Sequence, residues 1–253
     1  MGVFKIKSNK NRHFDYDIGL FMKTFDPAFV EVAGLAGFDF VILDYEHGVT
    51  EFSQLSNLIR AAKIHNTAAL IRVSGINESE IGKALDIGAS GIQVPQVKSS
   101  ADVEKIIEFS KFYPQGKRGV CRFVRAADYS IMPQKEYYKK ANKALVVVQL
   151  EGLEALENLN SIIQVNGVDV IFIGPYDLSQ SLGVPGDVMN PAVIEKMNTI
   201  VKECNLRKIK VGTFVDSPES LEIWKKAGVS YIAYSVDVGL FADKCREIIQ
   251  NSK

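Results

Sequence analysis

Residues 145–151, LVVVQLE, and 169–177, DVIFIGPYD, decide the reading of this chain. Each is a short β-branched and apolar run that ends on a carboxylate, and one helix-length segment separates the two. Such runs alternate with helical patterns eight times along the sequence, as repeated βα units around a parallel sheet do. The strands are DIGLFM (17–22), DFVILD (39–44), AALIRV (68–73), SGIQVP (90–95), ALVVVQLE (144–151), DVIFIG (169–174), KVGTFV (210–215) and SYIAYSV (230–236). Helical segments fall at 27–36, 51–64, 78–86, 99–111, 153–163, 191–206, 217–227 and 239–250. The expected fold class is α/β, a single (β/α)8 TIM barrel over residues 1–253. In such a barrel the C-terminal strand ends converge on one mouth, so Glu151 and Asp177 read as a divalent-metal site.

Element boundaries carry their own chemistry. Asp26, Asn190 and Ser217 each precede a proline and place a capping side chain at a helix start. Gly37, Gly88, Gly167 and Gly228 follow helices as left-handed C-caps would. One stretch breaks the rhythm between the fourth helix and the fifth strand. From Tyr113 to Lys143 a long excursion, rich in Arg and aromatics, carries its own helix near 134–142 and reads as a functional or subunit-contacting segment.

With 253 residues, 47% of them apolar, the chain can bury a sizeable core in one domain. Its 30 basic and 30 acidic side chains cancel and are dispersed, which argues against a nucleic-acid partner. The N-terminal MGVFKIKSNKNRHF is basic but has no long apolar run, no small-residue cleavage site and no Ser or Thr at position six for myristoylation. No later segment reaches membrane-spanning length free of charge, so a cytoplasmic protein without membrane contact is expected. Cys121, Cys204 and Cys245 are odd in number and far apart, which fits reduced thiols rather than disulfides or a zinc site.

Further polar residues sit at the same kind of boundary. His47, in LDYEHG, follows the second strand and could act as a base; it could equally be a solvated loop residue beside Glu46 and Asp44. Arg72 ends the third strand, where a buried guanidinium needs an anion, either a substrate or a neighbouring carboxylate. Asp86 closes the third helix, where the dipole disfavours a carboxylate, so it requires a partner, and His47 is the candidate. Glu151 and Asp177 could instead cap the helices that follow them.

Five ordered motifs resemble the HpcH/HpaI type of metal-dependent pyruvate aldolase, within the phosphoenolpyruvate/pyruvate barrel superfamily. They are GFDFVILDYEHG, ALDIGASGIQVPQVKSSADVEKII, YPQGKRGV with VRAADY, QLEGLEALENL, and GVDVIFIGPYDLSQSLG. The resemblance implies that Glu151 and Asp177 hold a divalent ion, Mg2+ or Mn2+ with Co2+ as a further fit, and that Gln149 lines that site. It implies that Arg72 contacts the ketone oxygen of pyruvate and that His47 and Asp86 form a dyad. It further implies that backbone amides of Gly174, Pro175, Tyr176 and Asp177 bind the pyruvate carboxylate. Asp44 and Arg125 match positions reaching the acceptor side, partly from a neighbouring subunit. Two residues depart from the family pattern: Tyr176 stands where a small residue is usual, and Phe214 occupies an acceptor-pocket position. Trimeric or hexameric rings, with the last helix packed on a neighbour, are also implied.

The implied activity is cleavage of a 4-hydroxy-2-oxo acid, such as a 4-hydroxy-2-oxoheptanedioate or a 2-keto-3-deoxy sugar acid, to pyruvate and an aldehyde. Three alternatives stand beside it. A Schiff-base aldolase would need a strand lysine facing the barrel interior, and no marked strand has an obvious one: Lys143 only precedes the fifth strand and Lys210 starts the seventh. A 2-oxo acid decarboxylase or CoA-thioester lyase of the same superfamily would keep the metal and break another bond. A barrel of this type could also bind a 2-oxo acid without catalysis.

Overall fold

A computed structural model describes residues 15–49 and 51–252. The N-terminal stretch 1–14, on which the targeting expectations rest, lies outside the described residues. Eight parallel strands close into one barrel in chain order: β1 (Asp17–Met22), β2 (Phe40–Asp44), β3 (Ala68–Arg72), β4 (Gly91–Val94), β5 (Leu145–Leu150), β6 (Val170–Ile173), β7 (Lys210–Val215) and β8 (Tyr231–Val236). Each boundary lies within one residue of the sequence expectation.

The strands read as near-continuous apolar runs because both of their faces are covered. One set of alternating side chains, including Val41, Leu43, Ile71, Val146, Val148 and Ile171, packs with the apolar stripes of the helices. The other set fills the barrel: Phe21, Phe40, Ile42, Leu70, Val147, Phe172 and Tyr231 belong to one interior cluster. Phe40 and Tyr231 stack at 4.0 Å between ring centroids near the N-terminal end, where Gly19 makes room for them. A Cβ on Gly19 would lie 2.1 Å from Phe40 Cε2.

The surrounding helices are α1 (Pro27–Ala36), α2 (Phe52–Ile64), α3 (Glu78–Asp86), α4 (Ser100–Ser110), α5 (Gln134–Ala141), α6 (Leu153–Glu157), α7 (Leu159–Ile162), α8 (Pro175–Ser181), α9 (Pro191–Leu206), α10 (Pro218–Ala227) and α11 (Asp237–Asn251). Asp26 accepts from Ala28 N at 2.9 Å, Asn190 from Ala192 N at 3.0 Å and Ser217 from Ser220 N at 3.2 Å, as capping side chains. The expected helix over 153–163 is split at Asn158, which ends α6, begins α7 and spends its side-chain amide on Lys98 O at 2.9 Å. Helix α8 was not marked, because seven residues give too few turns for an apolar period to show.

Between α4 and β5 the chain forms a 3-10 turn at Arg125–Ser130 and then α5. Phe112, Ala127, Met132 and Tyr137 make a small core of their own. The Asn142 side chain accepts from Phe112 N at 2.6 Å and donates to Phe112 O at 3.2 Å, tying the two ends of this segment together. Along α11 only Asp237 is buried, and Phe241, Ile248 and Ile249 stand exposed. Among the described residues no helix is long and apolar enough to cross a membrane.

Replacing Gly19 by Ala forces the Phe40–Tyr231 stack to move. Overpacking of this kind costs about 1–3 kcal/mol. Urea unfolding of Gly19→Ala should show a lower midpoint with an unchanged slope, and an unshifted midpoint would mean that the stack yields freely.

Candidate active site

Following the inward-facing side chains toward the C-terminal strand ends, the barrel filling changes from apolar to polar. β2 ends inward on Asp44, β3 on Arg72, β4 carries Gln93, and β5 carries Gln149 with Glu151 just beyond it. Asp44 and Gln93 are fully buried, and Gln149, Arg72 and Glu151 are each at most 8% exposed. This rim is the mouth at which barrel enzymes place their chemistry.

Arg72 and Asp44, paired across β2 and β3, form a two-point contact: Nε donates to Oδ1 at 2.9 Å and Nη2 to Oδ2 at 2.7 Å. Lys23, just past β1, also binds Asp44 through its ammonium group. Burial acts to raise the Asp44 pKa, but Arg72 and Lys23 more than offset it and hold the carboxyl at about 2. Burial likewise acts against the Arg72 cation, and the bond to Asp44 together with the Asp44 and Glu46 charges overrides it, raising its pKa. The guanidinium rests over Phe21, 4.8 Å from the ring centroid. The loop start is held as well. Asp237, at the head of α11, accepts from Lys23 N at 2.9 Å, Thr24 N at 3.0 Å and the Thr24 hydroxyl at 2.6 Å.

After β2 the chain turns tightly. Glu46 N and His47 N donate to Asp44 Oδ1, and Gly48 comes so close to the Asp44 carbonyl that a Cβ would lie 2.1 Å from it. The turn presents His47 to solvent, its side chain 62% exposed and its Nε2 3.8 Å from Glu46 Oε2. The same Glu46 oxygen lies 3.2 Å from Arg72 Nη1, and burial raises the Glu46 pKa. Within one chain, therefore, the carboxylate beside His47 is Glu46.

Asp86 lies elsewhere. It ends α3, a nine-residue helix that carries it roughly 13 Å away from the mouth side. Its carboxylate accepts from Arg118 Nη2 at 2.5 Å, which answers the helix-end charge without His47. Arg125 sits at the same end, donating to Ile87 O at 3.1 Å, just before three consecutive left-handed residues, Asp128, Tyr129 and Ser130. Neither the His47–Asp86 dyad nor an Arg125 contact to the mouth forms within a single chain.

The expected metal side is built around Glu151. Gln96 N donates to its Oε1 at 2.7 Å, and a relay runs from Gln93 Nε2 to Gln149 Oε1 at 2.6 Å and from Gln149 Nε2 to Glu151 Oε2. Gly174 leaves this carboxylate its space, since a Cβ there would come within 2.7 Å of Oε2. Burial raises the Glu151 pKa to about 7, with the Asp177 and Glu46 charges adding to the rise and the Gln149 and Gln96 hydrogen bonds opposing it. Asp177 stands exposed at the third position of α8, and no side chain caps that helix. Two adjacent carboxylates short of positive charge, with only oxygen donors, suit a hard divalent cation. Among the described residues no cluster of three or more His, Cys, Asp and Glu is arranged around one point, so water and substrate oxygens would complete the shell. Of the four expected amides in the turn, Gly174 N is already donated to Leu150 O at 3.1 Å and Pro175 has none. Tyr176 and Asp177 remain, in a first helical turn that lacks intrahelical acceptors.

Tyr176 and Phe214 meet edge to face at 5.9 Å, and Phe214 reaches Phe21 at 6.0 Å. The Tyr176 hydroxyl donates to Asp216 Oδ2 at 2.5 Å; burial and this bond push its pKa up to about 12. Lys23, Gln93, Gln96 and Asp216 were not singled out in the sequence. For Lys23, Gln93 and Asp216 the signal was parity, since each continues the inward register of its strand; Gln96, past the end of β4 with a positive φ, carries no such signal.

A model of the HpcH/HpaI aldolase/citrate lyase family matches residues 17–244. A 2-keto-3-deoxy-L-rhamnonate aldolase from Escherichia coli O17:K52:H18 is 30% identical over 234 residues, 92% of this chain and 87% of the relative. A solved HpcH/HpaI aldolase/citrate lyase family protein from Burkholderia cenocepacia J2315 superposes with a TM-score of 0.90 at 26% identity, covering 95% and 96% of the two chains. A solved citrate synthase, SbnG, superposes with a TM-score of 0.85 at 31% identity, covering 94% and 93%.

The folded pKa of Asp44, about 2, lies below the ordinary 3.8, so its ion pairs stabilise the fold above pH 3.8 and lose that contribution as pH falls toward 2. Asp44→Asn strands a buried guanidinium, which costs about 3 kcal/mol at neutral pH. Urea unfolding at pH 7, 4 and 3 should show the gap between wild type and variant shrinking on acidification, whereas a constant gap would remove the charged pair from the account.

Proposed function

The chain belongs to the HpcH/HpaI aldolase/citrate lyase family, and on that footing we propose that it is a carbon–carbon lyase cleaving a 4-hydroxy-2-oxo acid, of the 2-keto-3-deoxy sugar acid class, to pyruvate and an aldehyde. The observation that carries the reading is the Arg72 guanidinium, clamped by Asp44 at one mouth with Glu151.

Breaking the C3–C4 bond requires removal of the C4 hydroxyl proton and stabilisation of the charge left on the 2-oxo oxygen. Arg72 serves the second need. Two of its N–H groups are fixed on Asp44 and Nη1 lies 3.2 Å from Glu46, so the guanidinium plane keeps a set direction at the mouth. His47 serves the first need, from a solvent-facing turn with its Nε2 3.8 Å from Glu46 Oε2. The Tyr176 and Asp177 amides are the donors offered to the pyruvate carboxylate. Glu151 and Asp177 would hold a divalent cation, Mg2+ or Mn2+, which supplies Lewis acidity toward the 2-oxo carbonyl when bound. Phe21, Phe214 and Tyr176 pack as an aromatic strip along that side.

The likeness to a citrate synthase supports a second reading, carbon–carbon bond formation onto a 2-oxo acid with a CoA thioester as the other reactant. The enzyme is read as cytoplasmic, acting on small molecules and not on nucleic acid or membranes. It is also read as a ring of identical subunits. The exposed Phe241, Ile248 and Ile249 of α11 and Phe29, Val32 and Leu35 of α1 are apolar surface for a neighbour. Because Asp86 lies away from His47 within one chain, the His47–Asp86 pair is read as forming between subunits.

Pyruvate methyl protons should exchange in D2O, by NMR, only when Mg2+ or Mn2+ is restored to EDTA-treated protein. In Glu151→Gln the exchange should fall by more than the ~10–100-fold typical of losing an outer-shell partner. No exchange with any metal would favour the thioester reading. His47→Ala and Asp86→Ala should each be nearly inactive in cleavage, yet a denatured and refolded equimolar mixture should regain about a quarter of wild-type activity if each site joins two subunits. A mixture as inactive as its parts would sink the shared site.

A further inference from the structure

The side chains of Tyr176 and Asp216 take no part in the proton removal or the charge stabilisation of cleavage. Tyr176 lies in the β6–α8 turn between Gly174 and Asp177, and Asp216 directly follows β7. The phenol donates to the carboxylate at 2.5 Å, bridging the two strand ends. From there an apolar strip runs inward through Phe214, at 5.9 Å, to Phe21, at a further 6.0 Å, and ends under the Arg72 guanidinium. The inner end thus lies beside the cation assigned to the 2-oxo oxygen. Tyr176 is 45% exposed, so the outer end opens to solvent.

The charges along this path are unbalanced. The rim cations Lys23 and Arg72 are both bound to Asp44, and Arg72 also faces Glu46. Asp216 stands at the outer end. Resting on the aldolase reading, we infer that Tyr176 and Asp216 select the aldehyde, accepting an uncharged, hydroxyl-bearing one and disfavouring one that carries a second carboxylate. The carbon chain of the aldehyde lies on the Phe214 and Tyr176 rings. Its hydroxyl groups find an acceptor in the second oxygen of Asp216 and in the lone pairs of the phenol. A carboxylate in the same place meets the like charge of Asp216, and the rim cations Lys23 and Arg72 are already spent on Asp44, which is discrimination by repulsion rather than by fit.

The test runs in the direction of aldol addition, with pyruvate, Mn2+ and either glyceraldehyde or succinic semialdehyde, on the full chain. Pyruvate proton exchange is measured first; its absence with metal supplied overturns the aldolase reading and this inference with it. Given exchange, wild type should favour glyceraldehyde in kcat/KM by about tenfold or more, as one like-charge contact near a protein surface allows. Asp216→Asn should narrow that ratio by about tenfold. Tyr176→Phe keeps the ring and should raise KM for glyceraldehyde several-fold with a much smaller change in kcat, a split that general loss of structure would not give. Equal use of both aldehydes by wild type, or a preference for the semialdehyde, overturns the inference and assigns the acceptor side to a neighbour's cation such as Arg125. A wild-type preference that survives unchanged in Asp216→Asn overturns the role of that carboxylate.

Discussion

The buried contact between Asp44 and Arg72 is the constraint around which the mouth is organised. A guanidinium at the end of an apolar strand is tolerable only if its charge is met, and Asp44 meets it from the adjacent strand with both oxygens. That pairing spends Lys23 as well, and the same carboxylate collects the Glu46 and His47 amides to shape the next turn. One residue therefore sets the direction of the arginine, the course of the His47 loop and the position of the β1 end. Opposite them, Glu151 has amide donors and no fixed cation, and its carboxyl is pushed up to about 7. The mouth is thus divided into a side with its charges settled and a side that calls for positive charge, and a 2-oxo acid chelated by a divalent ion would lie across that division.

Most of the barrel could be read in advance because each strand is a β-branched run closed by turn chemistry. The glycines at Gly37, Gly88, Gly167 and Gly228 take the left-handed conformation expected of them. The misses are of two kinds. Helix α8 and the break at Asn158 are shorter than the period that would reveal them. The polar residues Lys23, Gln93, Gln96 and Asp216 look like solvated strand ends in the linear chain, and only closure of the barrel turns them toward one another. Asp86 was legible as a carboxylate in need of a partner. The partner within the chain, Arg118, lies 32 residues away in an aperiodic segment that no local rule connects to it. For His47 the loop position was legible, while the nearness of Glu46 depended on the turn that Gly48 permits.

The family likeness and the residue-level reading support each other at different depths. The likeness assigns a reaction class and a ligand type to positions, and the structure gives physical content to some of them. Glu151 is held by the Gln149 side chain, itself bound by Gln93, and by the Gln96 backbone amide, and Gly174 is a glycine because the carboxylate needs the space. Tyr176 and Phe214 pack edge to face and so shape the mouth as a unit rather than singly.

Asp237 has a consequence for how the protein comes into being. It stands at the beginning of the last helix, yet it ties down Lys23 and Thr24, more than two hundred residues earlier. Strand β8 must also arrive before β1 gains its second neighbour. A chain emerging from the ribosome can assemble its middle strands and their helices early. Its first strand, however, waits for nearly the whole sequence before the loop bearing Lys23 is anchored. Translation order thus makes the reactive mouth one of the last parts to mature, and a nascent chain cut short before residue 237 would carry most of the barrel's core without a finished rim.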